Sequence, residues 1–474
     1  MVLLNYFRDV IDSFPQDIAF SLPVCKENPL EIQFEPDDEV KTIYNGSEPL
    51  LPFANSDVFG ANISYWRRLT AVDKSCKAVY EVTLDVQGSN FTFKAGDTIG
   101  VIPQNDESEV HFILSHLDLT SLADYSYTLT LNTSQKSNKL PAHIPVKSCL
   151  SHILTHCVDL RSVLKKLFLL ALSKHTTDEN ERRILEYFCS KEGSSAYQSH
   201  ILNRNLCLLD LFRIFKTCKP PIQVLLAHLP RLLPRPYSIV NSGLKEAKII
   251  KICFSVMPLG NNRQGLTTGW LEKNILNQES LENRMSILSL TNDCDIVKYK
   301  VPIYLRKNMT GFMLPVNNTR TPLILIGPGT GVSPFMGFLD EIELYKQNNP
   351  GTNHGEVWLF FGCRSPKLDF IYEKEMKEFV KKGVLKKICT AFSREEKIET
   401  KYIQDALKQN SEEITRLIEA NASIFLCGDL KNIAAQVKDT ITHCLVTSGK
   451  TIEEANKIIN DMQKDKKYVV DAWS

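Results

Sequence analysis

Hydrophobic and polar residues alternate in two separate parts of the chain. AVYEVTLDV (residues 78–86) alternates from Tyr80 onward, and strand-like stretches return farther along in RPYSIV (residues 235–240) and AKIIKICFSVM (residues 247–257). A period of two is typical of strands with one buried face. The pattern therefore predicts one β domain made of residues 57–110 and 225–315.

Between these two parts, residues 111–224 change to a helical pattern. Apolar residues recur at steps of three and four in DLRSVLKKLFLLALSKH, NERRILEYFCSKEG and LCLLDLFRIFKTC. This spacing places them on one face of a helix, so we interpret the stretch as a helical insertion into the β domain. Residues 1–56 are rich in proline, asparagine and acidic residues, and are predicted to be a linker with at most one short helix.

The last part of the chain, residues 316–474, alternates buried strands with helices. The apolar runs PLILIG, GEVWLFFGCR, VLKKICTAF and ASIFLCGD are typical of strands, and a helical pattern follows each. In SPFMGFLDEIELYKQ, Ser333 and Pro334 are residues preferred at a helix start. Strands that alternate with helices predict a parallel sheet covered on both faces.

Composition narrows the function classes further. The chain has 474 residues, of which 43% are hydrophobic and 23% charged, and its net charge is +1. These values predict two or three globular domains and give no reason to expect nucleic acid or a membrane surface as a partner. Thirteen cysteines without a CxxC pair argue against a zinc site and a disulfide framework. We therefore expect a cytoplasmic protein without a metal, a signal peptide or a membrane span.

Two glycine-rich stretches could each bind a phosphate. GPGTG (residues 327–331) follows the strand PLILIG, where a glycine turn and a helix start can meet a ligand beyond the end of a parallel strand. It is not GxGxxG, and a tight turn without a ligand would have the same composition. GLTTGWL (residues 265–271) is similar and also precedes a predicted helix. Two such stretches suggest two nucleotides, one per domain.

Hydroxyls and cations follow the strand VLKKICTAF, and they supply candidates for a further phosphate: Ser393, Arg394, Lys401 and Tyr402. Arginine binds phosphate with two hydrogen bonds and commonly accommodates the 2′-phosphate of NADP. A solvated loop of mixed charge is the alternative. Cys427, at the end of another strand, could face a reacting ring or could be inert packing.

Two further stretches leave a structural and a functional interpretation open. RPYS places an arginine, an aromatic ring and a hydroxyl at a strand entrance, where Pro236 belongs at the strand start or on an edge. By composition alone this is an edge strand with an exposed cation. Trp473, next to the last residue, is either a docked tail or the cover of another flat ring.

Seven stretches together resemble one known family. RPYS, GLTTGW, GPGTGVSPF, FFGCR, AFSRE with KYIQ, CGD and the terminal DAWS occur in the order found in the FAD/NADPH half of diflavin reductases. Within that family the chain is most similar to methionine synthase reductases, notably in CKPPIQVLLAHLPRLLPRPYS. The resemblance runs from about residue 57 to the end. It implies an antiparallel β-barrel FAD domain with the helical insertion, followed by a parallel α/β NADPH-binding domain of the ferredoxin–NADP reductase type.

The resemblance also implies roles for individual residues. Arg235 would pair with the FAD pyrophosphate, Tyr237 would stack on the isoalloxazine, and Ser238 would lie near its N5 atom. Four residues would wrap the same pyrophosphate: Gly265, Leu266, Thr267 and Thr268. Seven would bind NADPH: Gly329, Thr330, Ser393, Arg394, Lys401, Tyr402 and Gln404. Ser238, Cys427 and Asp471 would line the hydride path, and Trp473 would cover the flavin until nicotinamide displaces it.

The implied activity is electron transfer from NADPH through FAD towards a flavodoxin-like FMN carrier, for reductive reactivation of cobalamin-dependent methionine synthase. Residues 1–56 are too few for the FMN domain of the family, so FMN is expected only in a domain or partner outside this chain. Three alternatives remain: another diflavin-type reductase, an NADPH–flavodoxin/ferredoxin reductase, or a non-catalytic module that binds methionine synthase. The long insertion argues against the second and the full set of cofactor-facing residues against the third.

Overall fold

The chain folds into two compact units, which are described one at a time. The computed structural model describes residues 6–7, 10, 19–24, 30–39, 51–131, 139–259, 263–287, 300–315, 320–429 and 433–473, without the side chains of residues 36–39, 278–287, 429 and 472–473. The unit that we call the helical unit contains residues 1–51, 103–234 and 258–270. The unit that we call the two-sheet unit contains residues 52–102, 235–257 and 271–474.

The strands of the described residues are β1 (Leu30–Glu39), β2 (Phe59–Arg68), β3 (Val79–Asp85), β4 (Thr98–Val101), β5 (Tyr125–Leu131), β6 (Lys147–Ser148), β7 (Arg235–Ser238), β8 (Ile249–Ser255), β9 (Pro258–Leu259), β10 (Arg263–Gln264), β11 (Lys300–Arg306), β12 (Leu323–Ile326), β13 (Val357–Cys363), β14 (Lys387–Phe392), β15 (Ser423–Asp429) and β16 (Tyr468–Trp473).

The α-helices of the described residues are α1 (Glu107–His116), α2 (Leu150–His152), α3 (Lys166–Ser173), α4 (Glu179–Cys189), α5 (Ser194–Ala196), α6 (Leu208–Ile214), α7 (Ile222–His228), α8 (Leu266–Ile287), α9 (Ser333–Asn348), α10 (Glu373–Lys381), α11 (Ile403–Gln409), α12 (Ser411–Glu419), α13 (Ile433–Thr447) and α14 (Ile452–Lys464). In this part of the chain no helix is both long enough and apolar enough to cross a bilayer.

Six antiparallel strands of the two-sheet unit form a closed barrel in the order β7-β4-β11-β2-β3-β8. The two end strands meet because Ile239, directly after β7, bridges Ile252 in β8. The Val240 N–H donates to the Lys251 carbonyl at 2.8 Å. The Asn241 side chain continues this ladder, since its Oδ1 accepts from the Lys251 N–H at 2.8 Å. The antiparallel barrel implied by the resemblance is confirmed.

The other sheet of this unit is parallel, in the order β14-β13-β12-β15-β16. Its central strand β12 is buried along its whole length. Leu323 and Leu325 pack into a core on one face of the sheet, whereas Ile324 and Ile326 pack into a core on the other face. A strand covered on both faces is apolar at every position, which explains the continuous run LILI. The predicted parallel α/β domain is confirmed.

The helical unit holds most of the predicted insertion, and its apolar helix faces pack into one core. Part of the predicted linker joins that core. Strand β1 pairs antiparallel with β5, with Leu30 opposite Leu131. Phe7 is fully buried, and its ring centroid lies 5.2 Å from that of Phe188. The segment differs from the linker expectation because its apolar residues alternate in LEIQF, and a hydrophobic surface is available to bury them.

Candidate functional site

A cavity of about 620 Å³ lies in the two-sheet unit, at the carboxyl ends of β12, β13 and β14. This edge of a parallel sheet is where open α/β folds bind ligands. The barrel supplies part of its wall through Thr70, Cys76 and Lys77, which lie between β2 and β3. The cavity is therefore bordered by both sheets of the same unit.

The GPGTG turn forms one wall of the cavity and continues into a short 3₁₀ turn and helix α9. Gly329 has a φ of 54°, and a Cβ built on it would meet no heavy atom within 4 Å. A Cβ on Gly331 would lie 2.1 Å from the Cys427 carbonyl oxygen. The turn is thus pressed against β15 on one side and open on the other, which lets a ligand approach its backbone closely.

The structure brings six of the seven predicted NADPH-binding residues to this cavity: Gly329, Thr330, Ser393, Lys401, Tyr402 and Gln404. The seventh, Arg394, is exposed and is not among the lining residues; its backbone N–H donates to the Arg364 carbonyl at 2.9 Å. The Gln404 amide donates to the Gln436 side chain at 2.6 Å, which holds it at the cavity wall.

Sequence reasoning missed two cations of the lining, Arg364 and Lys77. Arg364 directly follows β13, so the rule that ligands bind beyond strand ends could have identified it. Lys77 belongs to the barrel, and no signal in its own segment connects it with the distant strands. A cavity that collects several cations and hydroxyls is suited to phosphate groups.

Ser238 and Asp471, two residues of the predicted hydride path, are brought into direct contact. The Ser238 hydroxyl donates to Asp471 Oδ2 at 3.1 Å. Burial raises the pKa of the Asp471 carboxyl above its ordinary value, against the opposing effects of the Ser238 hydrogen bond and of Arg306. A buried carboxyl that is held by a hydroxyl is a suitable group for exchanging a proton or for stabilising a positive charge.

Cys427, the third residue of that path, is the register partner of Asp471 across β15 and β16. It is fully buried, and burial together with the Asp471 carboxylate raises the pKa of its thiol well above the usual range. The thiol is therefore neutral at physiological pH and not a nucleophile. Neither Cys427 nor Ser238 nor Asp471 is among the residues that line the cavity.

The RPYS stretch forms β7, at one end of the sheet order, where it pairs with β4. The Tyr237 ring meets the Phe254 ring edge-on, with centroids 6.3 Å apart. Burial raises the pKa of the Tyr237 phenol, so the group is neutral. Arg235 begins the strand and is half-buried. Trp473 ends β16, and its side chain lies outside the described residues.

The GLTTG stretch belongs to the helical unit and begins helix α8 at Leu266. The Thr267 side chain is 4% exposed, and its hydroxyl has no hydrogen-bond partner among the described residues. The Thr268 hydroxyl donates to the Gly265 carbonyl at 3.4 Å. Buried hydroxyls normally have a partner, so an unpaired one at a helix N-terminus fits a phosphate ligand.

Known proteins are similar to almost the whole of this chain. A family model described as an FAD binding domain matches residues 51–270, and one described as an oxidoreductase NAD-binding domain matches residues 325–439. Methionine synthase reductase of Rattus norvegicus is 34% identical over 98% of this chain and 69% of its own length. The human protein of that name is 33% identical over 99% of this chain and 69% of its own length. The chain belongs to the methionine synthase reductase family.

The family relationship extends to other reductases. NADPH–cytochrome P450 reductase of Drosophila melanogaster is 32% identical over 93% of this chain and 63% of its own length. In the present member, the cavity residues from Gly329 to Gln404 fall in the range matched by the NAD-binding model, and the RPYS and GLTTG stretches fall in the FAD-binding range. The chain is an oxidoreductase that uses FAD and NADP, and this confirms the predicted enzyme class and cofactors.

Proposed function

We propose that this oxidoreductase passes electrons from NADPH through FAD to a flavodoxin-like FMN carrier, for reductive reactivation of cobalamin-dependent methionine synthase in the cytoplasm. The observation that carries the proposal is the 3.1 Å contact between Ser238 of the barrel and Asp471 of the parallel sheet, because it joins an FAD-side residue to a nicotinamide-side residue. Relatives of this chain are named methionine synthase reductase, which supports methionine synthase as the final electron acceptor. The eleven cysteines of the described part form no disulfide, which suits a reducing compartment.

Ser238 and Asp471 act together in this proposal. Bound FAD supplies a ring that accepts two electrons at once and can release them singly. Because the Ser238 hydroxyl donates to Asp471, its oxygen lone pairs remain available to accept a hydrogen bond. The Asp471 carboxylate, in surroundings of low dielectric, would stabilise positive charge that develops on the nicotinamide. Cys427, neutral and fully buried beside Asp471, would pack against the reacting rings.

The two ends of NADPH would be recognised by different parts of the cavity. Gly329 and Thr330 offer backbone groups for the pyrophosphate, at the start of a 3₁₀ turn and a 16-residue helix. The 2′-phosphate would meet the hydroxyls, cations and one amide that follow β14: Ser393, Arg394, Lys401, Tyr402 and Gln404. Charge-assisted hydrogen bonds of this kind predict a preference for NADPH over NADH.

Two stretches in the range matched by the FAD-binding model, RPYS and GLTTG, supply the residues proposed to bind FAD. Arg235 would pair with the FAD pyrophosphate. Tyr237, whose phenol is neutral, would stack its flat aromatic ring on the isoalloxazine. The pyrophosphate would also meet a second group at the start of α8: Gly265, Leu266, Thr267 and Thr268. The unpaired Thr267 hydroxyl supports this assignment. Trp473 would cover the flavin ring before nicotinamide enters.

The visible spectrum of the purified chain tests the cofactor part of the proposal. We expect a bound flavin band that bleaches when NADPH is added without oxygen, and bleaches more slowly with NADH at equal concentration. A colourless protein, or a flavin that NADPH leaves oxidised, would contradict an electron-transfer role and favour a non-catalytic binding module.

The acceptor needs its own experiment. Reactivation of oxidised methionine synthase is measured with the chain, NADPH and a flavodoxin-like FMN protein, and then with each component omitted. We expect the complete mixture to be active and the mixture without the FMN protein to be much slower. Equal rates with and without that protein would show that the proposed carrier is unnecessary.

A further inference from the structure

Two half-buried thiols border the NADPH cavity. Among the described cysteines, three are half-buried and the others are buried: the three are Cys76, Cys149 and Cys363. Cys76 and Cys363 both line the cavity, whereas Cys149 belongs to the helical unit. Every half-buried thiol of the two-sheet unit, within the described residues, is therefore found at one site.

Both sulfur atoms lie against the same turn. Cys76 Sγ is 3.6 Å from the Leu368 carbonyl oxygen, and Cys363 Sγ is 3.6 Å from the Ser365 carbonyl oxygen. The Leu368 N–H donates to that Ser365 oxygen at 3.2 Å, so the two contact points belong to one short turn. The Ala71 N–H also donates to Leu368, at 2.8 Å, which fixes the β2–β3 loop to this turn.

We propose that Cys76 and Cys363 form a reversible disulfide that excludes NADPH from the cavity. The inference rests on the proposed function for the identity of the ligand. The oxidant is a low-molecular-weight disulfide such as oxidised glutathione. One protein thiolate attacks it and releases one glutathione thiol; the other protein thiolate then attacks the mixed disulfide and releases the second. Two electrons pass from the protein thiols to glutathione, and one S–S bond breaks as another forms.

Cys76 is the residue that attacks first. It lies in the loop between β2 and β3, outside the strand ladders, and that loop is held against the same turn as Cys363. Cys363 ends β13, and burial, the Asp369 carboxylate and the neighbouring Cys76 all raise the pKa of its thiol. The raised pKa makes Cys363 the slower nucleophile, so it attacks second: it loses its proton, displaces glutathione from the mixed disulfide on Cys76, and should do so faster as the pH rises.

The disulfide and NADPH would exclude each other. An S–S bond between Cys76 and Cys363 would draw the barrel loop across the wall formed by Gly362 and Arg364, which the ligand must reach. Binding of the dinucleotide would conversely cover both thiols. Such exclusion is reciprocal: if oxidation lowers the affinity for the dinucleotide, then bound dinucleotide must disfavour oxidation of the two thiols.

Peptide mapping of the oxidised holoenzyme tests the pair directly. The fully reduced FAD-loaded protein is incubated with oxidised glutathione, with and without saturating NADP+, and digested under non-reducing conditions. We expect a cross-linked peptide that contains Cys76 and Cys363, at least tenfold slower formation with NADP+, and its loss on treatment with dithiothreitol. The affinity of the oxidised protein for NADP+ should fall at least tenfold and recover after reduction.

Single variants sharpen the test. Cys76→Ser and Cys363→Ser should each abolish the cross-link and the effect of oxidation on NADP+ affinity, whereas Cys149→Ser, the matched control, should change neither. A mixed disulfide that stops at one thiol, or a cross-link without effect on affinity, would overturn the proposal. The peptide mapping uses the protein without substitutions. It therefore still decides whether the cross-link forms if one of the variants fails to fold. If the reduced protein binds no NADP+ at all, the proposed function fails, and the cross-link is still judged separately.

Discussion

GPGTG and GLTTG have nearly the same composition but present different groups to a ligand. In GPGTG a ligand would meet backbone, since Gly329 is open to the cavity and Gly331 is pressed against β15. In GLTTG the distinctive group is a side chain, the buried and unpaired Thr267 hydroxyl. A turn between a parallel strand and a helix needs glycines for space, whereas a helix start can use threonine hydroxyls. Substitutions in the first should therefore act on folding, and in the second on cofactor affinity.

The largest effect is expected for Gly331→Ala. Its Cβ would lie 2.1 Å from the Cys427 carbonyl oxygen, so β15 or the turn must shift, at a cost of about 3 kcal/mol or more. Gly329→Ala, the matched control, has open space and only the strain of a φ of 54°, about 1 kcal/mol. Denaturant unfolding, followed by tryptophan fluorescence, to which Trp358 in β13 contributes, measures both. Equal losses would contradict the asymmetry of the turn.

Thr267→Val is expected to separate stability from affinity. Removing a hydroxyl that binds FAD phosphate should weaken FAD by about 1.5–3 kcal/mol. The cofactor-free protein should be equally or more stable, because a buried unsatisfied hydroxyl is replaced by a methyl group of the same shape. Flavin titration and thermal unfolding of the apoprotein measure the two effects. Thr268→Val, whose hydroxyl already donates to Gly265, is the control and should lose less affinity.

Lys401→Ala should weaken NADPH about tenfold, or about 1.4 kcal/mol, and change NADH much less. Arg394→Ala tests the predicted 2′-phosphate contact at a residue outside the cavity lining. We expect Arg394→Ala also to weaken NADPH more than NADH, but by less than Lys401→Ala does. Isothermal titration with NADP+ and NAD+ measures both variants. An equal loss for the two dinucleotides would mean that these cations do not recognise the 2′-phosphate.

The smallest effect concerns Asp471→Asn and pH. Burial raises the pKa of Asp471 in the fold above its ordinary value of 3.8, so the folded protein holds the proton of this carboxyl to a higher pH than the unfolded chain does. Its contribution to stability is fully present below pH 3.8 and is lost as the pH rises through the raised value. The asparagine side chain of the variant would stay neutral at every pH. The stability of the variant, measured against that of the unmodified protein, should therefore be higher at pH 7 than at pH 3.8. Unfolding midpoints at both pH values measure this difference, while flavin reduction should be slower in the variant.

Much of the fold could be predicted because each half has a simple pattern. Runs such as LILI, apolar at every position, are typical of strands covered on both faces. Burial in the barrel was harder to predict. Alternation predicts that the polar face of a strand is exposed, yet Glu81 and Thr83 in β3 are buried. Glu81 is tolerated there because it pairs with Arg67 at 2.8 Å. Strand β1 was missed because acidic residues outweigh the alternation of LEIQF in composition.

The site could be predicted only where its residues follow strands of the parallel sheet. Ser393 and Lys401 lie beyond β14, and the strand-end rule leads to both. Lys77 and Cys76 reach the same cavity from a barrel loop more than 300 residues earlier in the chain. Their placement depends on how the barrel packs beside the sheet, and local sequence carries no record of that packing.

Closure of the barrel also affects how the protein behaves at high concentration. An open sheet exposes a row of unpaired backbone groups at each end, which can recruit a strand from another molecule. The bridge from Ile239 to Ile252 joins the two end strands of the barrel sheet and so shortens both of its free edges. The parallel sheet keeps two, at β14 and β16. Within these two sheets, we therefore expect self-association through strand addition on heating or crowding mainly at β14, which begins with Lys387, and at β16, which carries Asp471.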